Sequence, residues 1–427
     1  MKTHLFKALR VLLRVESRNV QIDLFDDVKS RVFVIRVAYE IFEILRTTPL
    51  STLMVVGYGL KSAFYASLPK RSASIVATAM YINEQKTIEA LGDWIGSGKI
   101  EIARVGLNLN GGLRQFNLRK LLQIIRIAGY LKRRYHFMPV CRALSTLFYY
   151  LNFRKSLAGC GARVVCLASA NSPDSLGMRF AAHALGVPTV FVPHAAVPCR
   201  SDGPTLDFSL AVLSGAASLN AFAEAGKVSG RVIFAGIAGH SSPLRLAKLK
   251  NEIRTFGIFL TGLTDRQRLA NFIGKLLHRY EGAKIVIRPH PLEVVNFPMD
   301  EITERFRSVV ISRGVPLAED IQRCDFVFIG NSSVVLETLK GGTPAALLQG
   351  IDAVPHDYYR FIENGVVPEI DDISGFDPEK ICAFYEVGWI DRFRKYDYSY
   401  LRDQNEIIAE VRKEFTELVA LPRNQEI

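Results

Sequence analysis

Acidic residues are missing where a chain of this length would normally have several: none lies between Glu101 and Asp174. That window, residues 102–173, carries 12 Lys or Arg, while the rest of the chain balances 42 basic against 42 acidic residues. The whole net charge of +12 therefore comes from one segment. No Asp-x-Asp occurs anywhere, so a diphosphate held by a metal on such a pair is not indicated, and neither a Walker loop nor an HExxH helix is present. The expectation is chemistry without a metal or a cofactor. The six cysteines show no CxxC spacing, and most sit in apolar surroundings, which predicts buried thiols rather than disulfides or zinc ligands. No apolar run reaches the roughly 18 residues that a bilayer span requires. Met1 to Arg14 mixes basic and apolar residues without the unbroken apolar stretch of a secretory signal. A cytoplasmic protein is expected. There is no internal repeat and no low-complexity tract.

What the chain does have is an alternation of short β-branched runs with helical stretches that often end in glycine. Strands are expected at 53–56, 75–79, 100–104, 163–167, 189–192, 208–213 and 232–235, with helices at 84–96, 174–185 and 216–225 between them. A Gly- and Ser-rich junction at 236–242 separates a second series: strands near 257–260, 284–287, 309, 325–329 and 345–348, and helices at 265–280, 317–323 and from Val334. The tail from Glu379 reads as helical. Such alternation predicts parallel, doubly wound sheets. With 427 residues, two domains are expected: 1–240 with the basic segment 102–173, 241–385, and tail helices 386–427 packing back on the first. The economical architecture is α/β, two Rossmann-like lobes facing each other across a cleft.

Two short motifs forty residues apart carry most of the functional signal. Ile287-Arg288-Pro289-His290-Pro291 ends one predicted strand, and Gly330-Asn331-Ser332-Ser333 ends another and opens a helix. Loops at strand C-termini and helix starts are where α/β proteins hold phosphate. The flanking prolines fix the backbone around His290. Arg288, two residues back on an extended chain, is expected on the same face, and together they would grip a phosphate as cations. Ser332 and Ser333 are typed both for N-capping and for a phosphate. Glu337 lies one turn into the helix, within reach of sugar hydroxyls or serving only to offset the helix dipole. Thr261-Gly262 ends the first strand of the second series, where small residues let a ligand approach the backbone, or form a plain turn. In the first lobe His194 follows a strand and has the right chemistry to take a proton from a hydroxyl; Asp174, Asp202 and Asp207 are the acidic alternatives.

The basic segment places Arg119, Lys120 and Arg126 among apolar residues at helical spacing, then Lys132-Arg133-Arg134 and the aromatic cluster Phe148-Tyr149-Tyr150. Basic amphipathic helices with interfacial aromatics suit an anionic membrane surface or a polyanionic acceptor; the plain alternative is a solvated helix hairpin. No nucleic-acid module is recognisable, so no nucleic-acid partner is expected.

The His-Pro and Ser-Ser pair in a C-terminal Rossmann-like lobe resembles bacterial GT-B glycosyltransferases. It looks most like the CMP-sugar-dependent sialyltransferases and capsule Kdo transferases, and like the CDP-glycerol glycerophosphotransferases. The resemblance is specific over residues 284–349 and architectural elsewhere. It implies that His290, Ser332 and Ser333 contact the phosphate region of the donor nucleotide. It also implies a catalytic histidine at His194, with Ala195 in place of the glycerophosphotransferases' glycine. The implied activity is an inverting, metal-independent transfer of a sugar from a CMP- or other nucleotide-activated donor to a surface polysaccharide or lipooligosaccharide, with the enzyme peripheral on the inner membrane. A CDP-polyol phosphotransferase and a glycan-binding protein without turnover are the alternatives.

Overall fold

The computed structural model describes residues 33–65, 73–96, 100–103, 118–196, 206–226, 228–237, 252–261, 264–290, 300–352, 356–386 and 388–420. The first lobe contains α1 (Phe33–Ile44), α2 (Pro49–Tyr65), β1 (Ile75–Thr78), α3 (Ile82–Ile95), β2 (Glu101–Ala103), α4 (Leu118–Leu131) and α5 (Phe137–Cys160). It continues with β3 (Val164–Leu167), α6 (Pro173–His183), β4 (Thr189–Phe191), β5 (Leu206–Leu213), α7 (Ala216–Ala225) and β6 (Val228–Phe234). The second lobe runs through β7 (Thr255–Phe259), α8 (Arg266–Arg279), β8 (Lys284–Arg288), α9 (Asp300–Arg305), β9 (Val309–Ile311) and α10 (Leu317–Arg323). β10 (Phe326–Ile329), α11 (Val334–Lys340), β11 (Ala345–Leu348) and β12 (Glu369–Ile370) complete its sheet. The chain ends in α12 (Pro378–Phe384), α13 (Trp389–Arg394) and α14 (Gln404–Ala420).

Each lobe holds a six-stranded sheet, in the orders β2-β1-β3-β4-β5-β6 and β12-β11-β10-β7-β8-β9. Every pairing within both sheets is parallel. Parallel strands covered by helices on both faces must be apolar throughout, and Val164–Leu167, Phe326–Ile329 and Ala345–Leu348 are buried at every position. This is a two-lobed α/β architecture with one doubly wound parallel sheet in each lobe. In the second sheet the winding direction reverses between β7 and β10, and in the first between β1 and β3. Such reversal points leave a crevice beyond the strand C-termini, where ligands of open α/β sheets bind.

The tail belongs to both lobes. Trp389, Phe393 and Tyr400 lie in the hydrophobic cluster of the second lobe with Val335 and Leu336. Ile407, Val411, Phe415 and Leu418, at helical spacing on α14, lie in the core of the first with Ile88, Leu91 and Val164. Between them the backbone is pressed against the first lobe: Ala217 N donates to Lys395 O at 2.8 Å, and Tyr398 N donates to Ser214 O at 2.8 Å.

The strand predicted at 53–56 is part of helix α2. Its Val55-Val56 pair favours a strand locally, but burial of both on α5 decides the outcome. Gly59 permits that packing, since a Cβ there would sit 2.8 Å from Cβ of Leu144. The aromatics Phe148, Tyr149 and Tyr150 are also corrected: they are buried on α5 in the core of the first lobe and are not interfacial.

Candidate functional site

β7 lies between β10 and β8, with Ile329, Phe259 and Arg288 in one register row. Strands are about 4.8 Å apart. The loops after Ile329, Phe259 and Arg288 therefore emerge side by side, and Leu260 N donates to Arg288 O at 2.9 Å. Topology thus brings Thr261, His290 and the 330–333 turn to one edge at the reversal point of the second sheet. Gly262 and Pro291 fall outside the described residues.

The 330–333 turn is fixed by partners that no motif announces. Asn331 N donates to Asp352 Oδ2 at 2.9 Å, and Asn331 Oδ1 accepts from Tyr358 N at 3.1 Å. A Cβ at Gly330 would meet that Asp352 oxygen, so a larger residue there would displace the carboxylate that holds the turn. Ser333 occupies the cap position of α11 in helical backbone and makes no capping bond, while Ser332 Oγ accepts from Val334 N only at 3.4 Å. Capping therefore makes little use of these hydroxyls.

His290 is partly buried, and desolvation depresses its pKa below the ordinary imidazole value. Burial thus favours the neutral imidazole, which can still donate a hydrogen bond. Arg288 turns toward α10. Its guanidinium donates to Val315 O at 2.8 Å and pairs with the fully buried Asp320, which also accepts from Ser312 Oγ at 2.6 Å and pairs with Arg323 at 2.5 Å. Asp320 already offsets the Arg288 charge, so it brings less to a phosphate than its place in the motif suggests.

Burial pushes the Glu337 carboxyl up to about 7, helped by the Asp397 charge and opposed by Lys340. A carboxyl that keeps its proton longer folded than unfolded stabilises the fold below its ordinary pKa of 4.5, and that contribution is lost as pH rises through about 7. Glu337→Gln should therefore leave stability at pH 5 nearly unchanged and raise it at pH 8 by about 1–3 kcal/mol in urea titrations. An equal effect at both pH values would contradict the ionisation as cause.

The first lobe presents a second strand-end constellation, at the reversal between β1 and β3. Thr78 Oγ1 donates to Asp174 Oδ2 at 2.8 Å. Asp174 is fully buried, and its other oxygen has no hydrogen-bond partner among the described residues. Glu84 accepts from Met80 N at 2.6 Å and Tyr81 N at 3.2 Å. Its pKa is raised by burial and by the Asp174 charge, and the His194 charge acts against that rise. His194 Nδ1 lies 2.7 Å from Ala168 O. A carbonyl only accepts, so Nδ1 holds a proton, and in the neutral ring the lone pair is then on Nε2. Ala196, two residues on, packs against the hydrophobic cluster that Ala217 of the first lobe shares with the second lobe and the tail.

Sequence reasoning named Asp174 but gave Glu84 no place here; its reach back to the start of α3 was the available signal. Asp207 lies at the opposite, N-terminal end of β5, bonded to Ser229, which removes it from this edge. Asp202 lies outside the described residues. In the basic segment Arg126, Arg133 and Arg134 are exposed. The side chains of Arg119 and Lys120 are outside the described set. Lys132 is corrected: it is buried, donating to Ser51 Oγ at 2.7 Å and to Thr48 O. Among the described residues no group of three or more His, Cys, Asp or Glu is placed to hold a metal ion, and no helix is long and apolar enough to cross a membrane.

No protein-family model matches the chain, and no curated protein sequence does. Solved structures with a similar chain path include S. aureus MnaA with UDP, at 11% identity over 81% of this chain and 96% of that one, with a TM-score of 0.45. UDP-GlcNAc 2-epimerase from Neisseria meningitidis bound to UDP-GlcNAc shares 11% identity over 81% and 98%, with a TM-score of 0.46. The glycosyltransferase SnogD from Streptomyces nogalater shares 13% over 81% and 95%, with a TM-score of 0.40. Likeness at this level assigns no chemistry.

Proposed function

We propose that this chain is an inverting glycosyltransferase that moves a sugar from a nucleotide-activated donor to a surface glycan or lipid-linked acceptor. The observation that carries the reading is the convergence of His290, Thr261 and the Ser332-Ser333 turn on one edge of the second sheet at its reversal point. The donor phosphate lies over that edge. The Ser332 and Ser333 hydroxyls and the neutral His290 donate hydrogen bonds to it. Glu337, carrying a proton part of the time near pH 7, both donates to and accepts from sugar hydroxyls. Opposite, His194 Nε2 takes the acceptor's hydroxyl proton. The acceptor oxygen bonds to the anomeric carbon, the carbon–oxygen bond to phosphate breaks, and that electron pair leaves with the nucleotide. The developing phosphate charge is where preplaced donors in a water-poor site contribute most. CMP-linked sugars are the first donor class to test; CDP-linked polyols, whose transfer would break a phosphoryl bond instead, are the second.

Thermal shift with CMP-sugar, UDP-sugar and CDP-glycerol in parallel is the test. One class should raise the melting temperature, and His290→Ala should weaken its binding by about 10- to 100-fold, the worth of a hydrogen bond to a charged group. If no donor shifts the transition, or the variant binds as tightly as the parent, the assignment is wrong.

A further inference from the structure

The described residues expose eleven large hydrophobic side chains, and seven of them lie on just three helices of the first lobe, α1, α2 and α4. Ile41 and Ile44 share a face of α1, and Leu50 and Leu53 share a face of α2, each pair one turn apart. Ile44 is 78% exposed, and Leu50 and Leu53 are each 56% exposed. One turn further along α2, a Cβ on Gly57 would meet nothing within 4 Å, so the stripe stays open. On α4, Leu122, Arg126 and Tyr130 recur four residues apart on the exposed face, and the Arg134 guanidinium lies 4.4 Å from the Tyr130 ring centre.

The two turns that carry these stripes are fastened together. Arg46, between α1 and α2, donates to Lys132 O at 3.1 Å and Tyr135 O at 3.4 Å, and the buried Lys132 reaches back to Ser51. This explains why Lys132 is buried inside an otherwise exposed basic run: it ties the apolar turn to the basic one. Arg133 and Arg134, both exposed, belong to the turn that Arg46 fastens to the one between Ile44 and Leu50. α2 and α4 contain no acidic residue. On α1, Glu40 is exposed, and Glu43 is paired with Arg46 at 3.1 Å and His136 at 3.3 Å.

We infer that the α1–α2 and α4–α5 turns form one docking edge for an anionic lipid bilayer, with Ile44, Leu50 and Leu53 entering the acyl boundary and Arg126, Arg133 and Arg134 resting on headgroups. A nucleic acid would satisfy the arginines and leave the aliphatic stripe in water. A bilayer satisfies both, because its interface offers anionic charge and hydrocarbon within one helix diameter. The edge lies outside the strand-end loops, so it holds whether or not the donor chemistry above is right, and the test contains no nucleotide.

The full chain is floated with vesicles of phosphatidylcholine alone or mixed with phosphatidylglycerol. Binding should appear on the anionic vesicles and fall at least about tenfold on the neutral ones, or when salt is raised to about 0.5 M. The triple variant Ile44→Ser/Leu50→Ser/Leu53→Ser should lose about tenfold or more on anionic vesicles at low salt, with an unchanged melting temperature. Leu53→Trp should be quenched by bromine on the lipid acyl chains. Equal binding by the triple variant, or Leu53→Trp that binds without quenching, overturns the insertion. Equal binding to neutral and anionic vesicles overturns the arginine role. The quenching measurement decides the matter by itself if the triple variant does not fold.

Discussion

Replacing Asp397 with alanine should lower the unfolding free energy by about 3–5 kcal/mol, the cost of stranding a charge in a protein interior. Asp397 is fully buried, and Lys340 donates to it at 2.7 Å. The other Asp397 oxygen accepts from Ser399 N at 3.1 Å and Ser399 Oγ at 2.6 Å. Lys340 closes α11, the helix that opens at the serine turn, and Asp397 sits in the segment that crosses to the first lobe. A Cβ on Gly236 of the first lobe would collide with both Asp397 and Ser399, so three pieces of chain meet at this pair. Asp397→Ala leaves the buried Lys340 ammonium without its hydrogen-bonded carboxylate, keeping the Ser399 hydroxyl at 3.3 Å. Removing both charges, as in Lys340→Met/Asp397→Leu, restores a neutral packed interior and should recover most of the loss, because ionic and apolar pairs of similar volume are close in net stability. Urea titrations of the parent, both single variants and the double close the cycle. If the double variant is as unstable as Asp397→Ala, the cost is steric and not electrostatic.

The second lobe was legible because its strands are short unbroken apolar runs, and a parallel buried strand has no other way to be written. Lys284–Ile287 and Phe326–Ile329 sit where the sequence put them, with Pro289 and Gly330 marking their ends. The strand order was not legible, and it is the order that makes the two motifs one site: β7 lies between β8 and β10 although β8 follows it directly and β10 comes third. The first lobe misled where local preference and tertiary burial disagree. Val55 and Val56 read as strand but fold as helix. Phe148, Tyr149 and Tyr150 read as an interface but fill a core. Lys132 sits in a basic run yet serves as a buried tie. No spacing rule announces Asp174 as a neighbour of Thr78 and Glu84, because it lies far along the chain and reaches them only through the pairing of β1 with β3.

The loss of a side chain from that first-lobe edge should be the largest single effect on turnover. His194→Ala should reduce kcat for sugar transfer by about 10²- to 10⁴-fold, the range of a positioned general base, while the donor binds as before. The separation follows from the topology: His194 lies just after β4 in the first sheet, and the groups proposed to face the phosphate lie just after β7, β8 and β10 in the second. The bond from Nδ1 to Ala168 O fixes the ring, and in the neutral tautomer it leaves the lone pair on Nε2, the atom proposed above to receive the proton. His194→Asn tests that point, since its amide can still donate to the carbonyl at 168 but offers no base, and it should fall as far as the alanine variant. Glu84 and Asp174 are the rivals. If Asp174→Asn abolishes transfer while His194→Ala stays within about threefold of the parent, the acceptor proton goes to the buried carboxyl and the imidazole is only its neighbour. If both variants lose donor affinity in step with kcat, the first-lobe edge contributes to the nucleotide site itself, and the division of labour between the lobes proposed above is wrong.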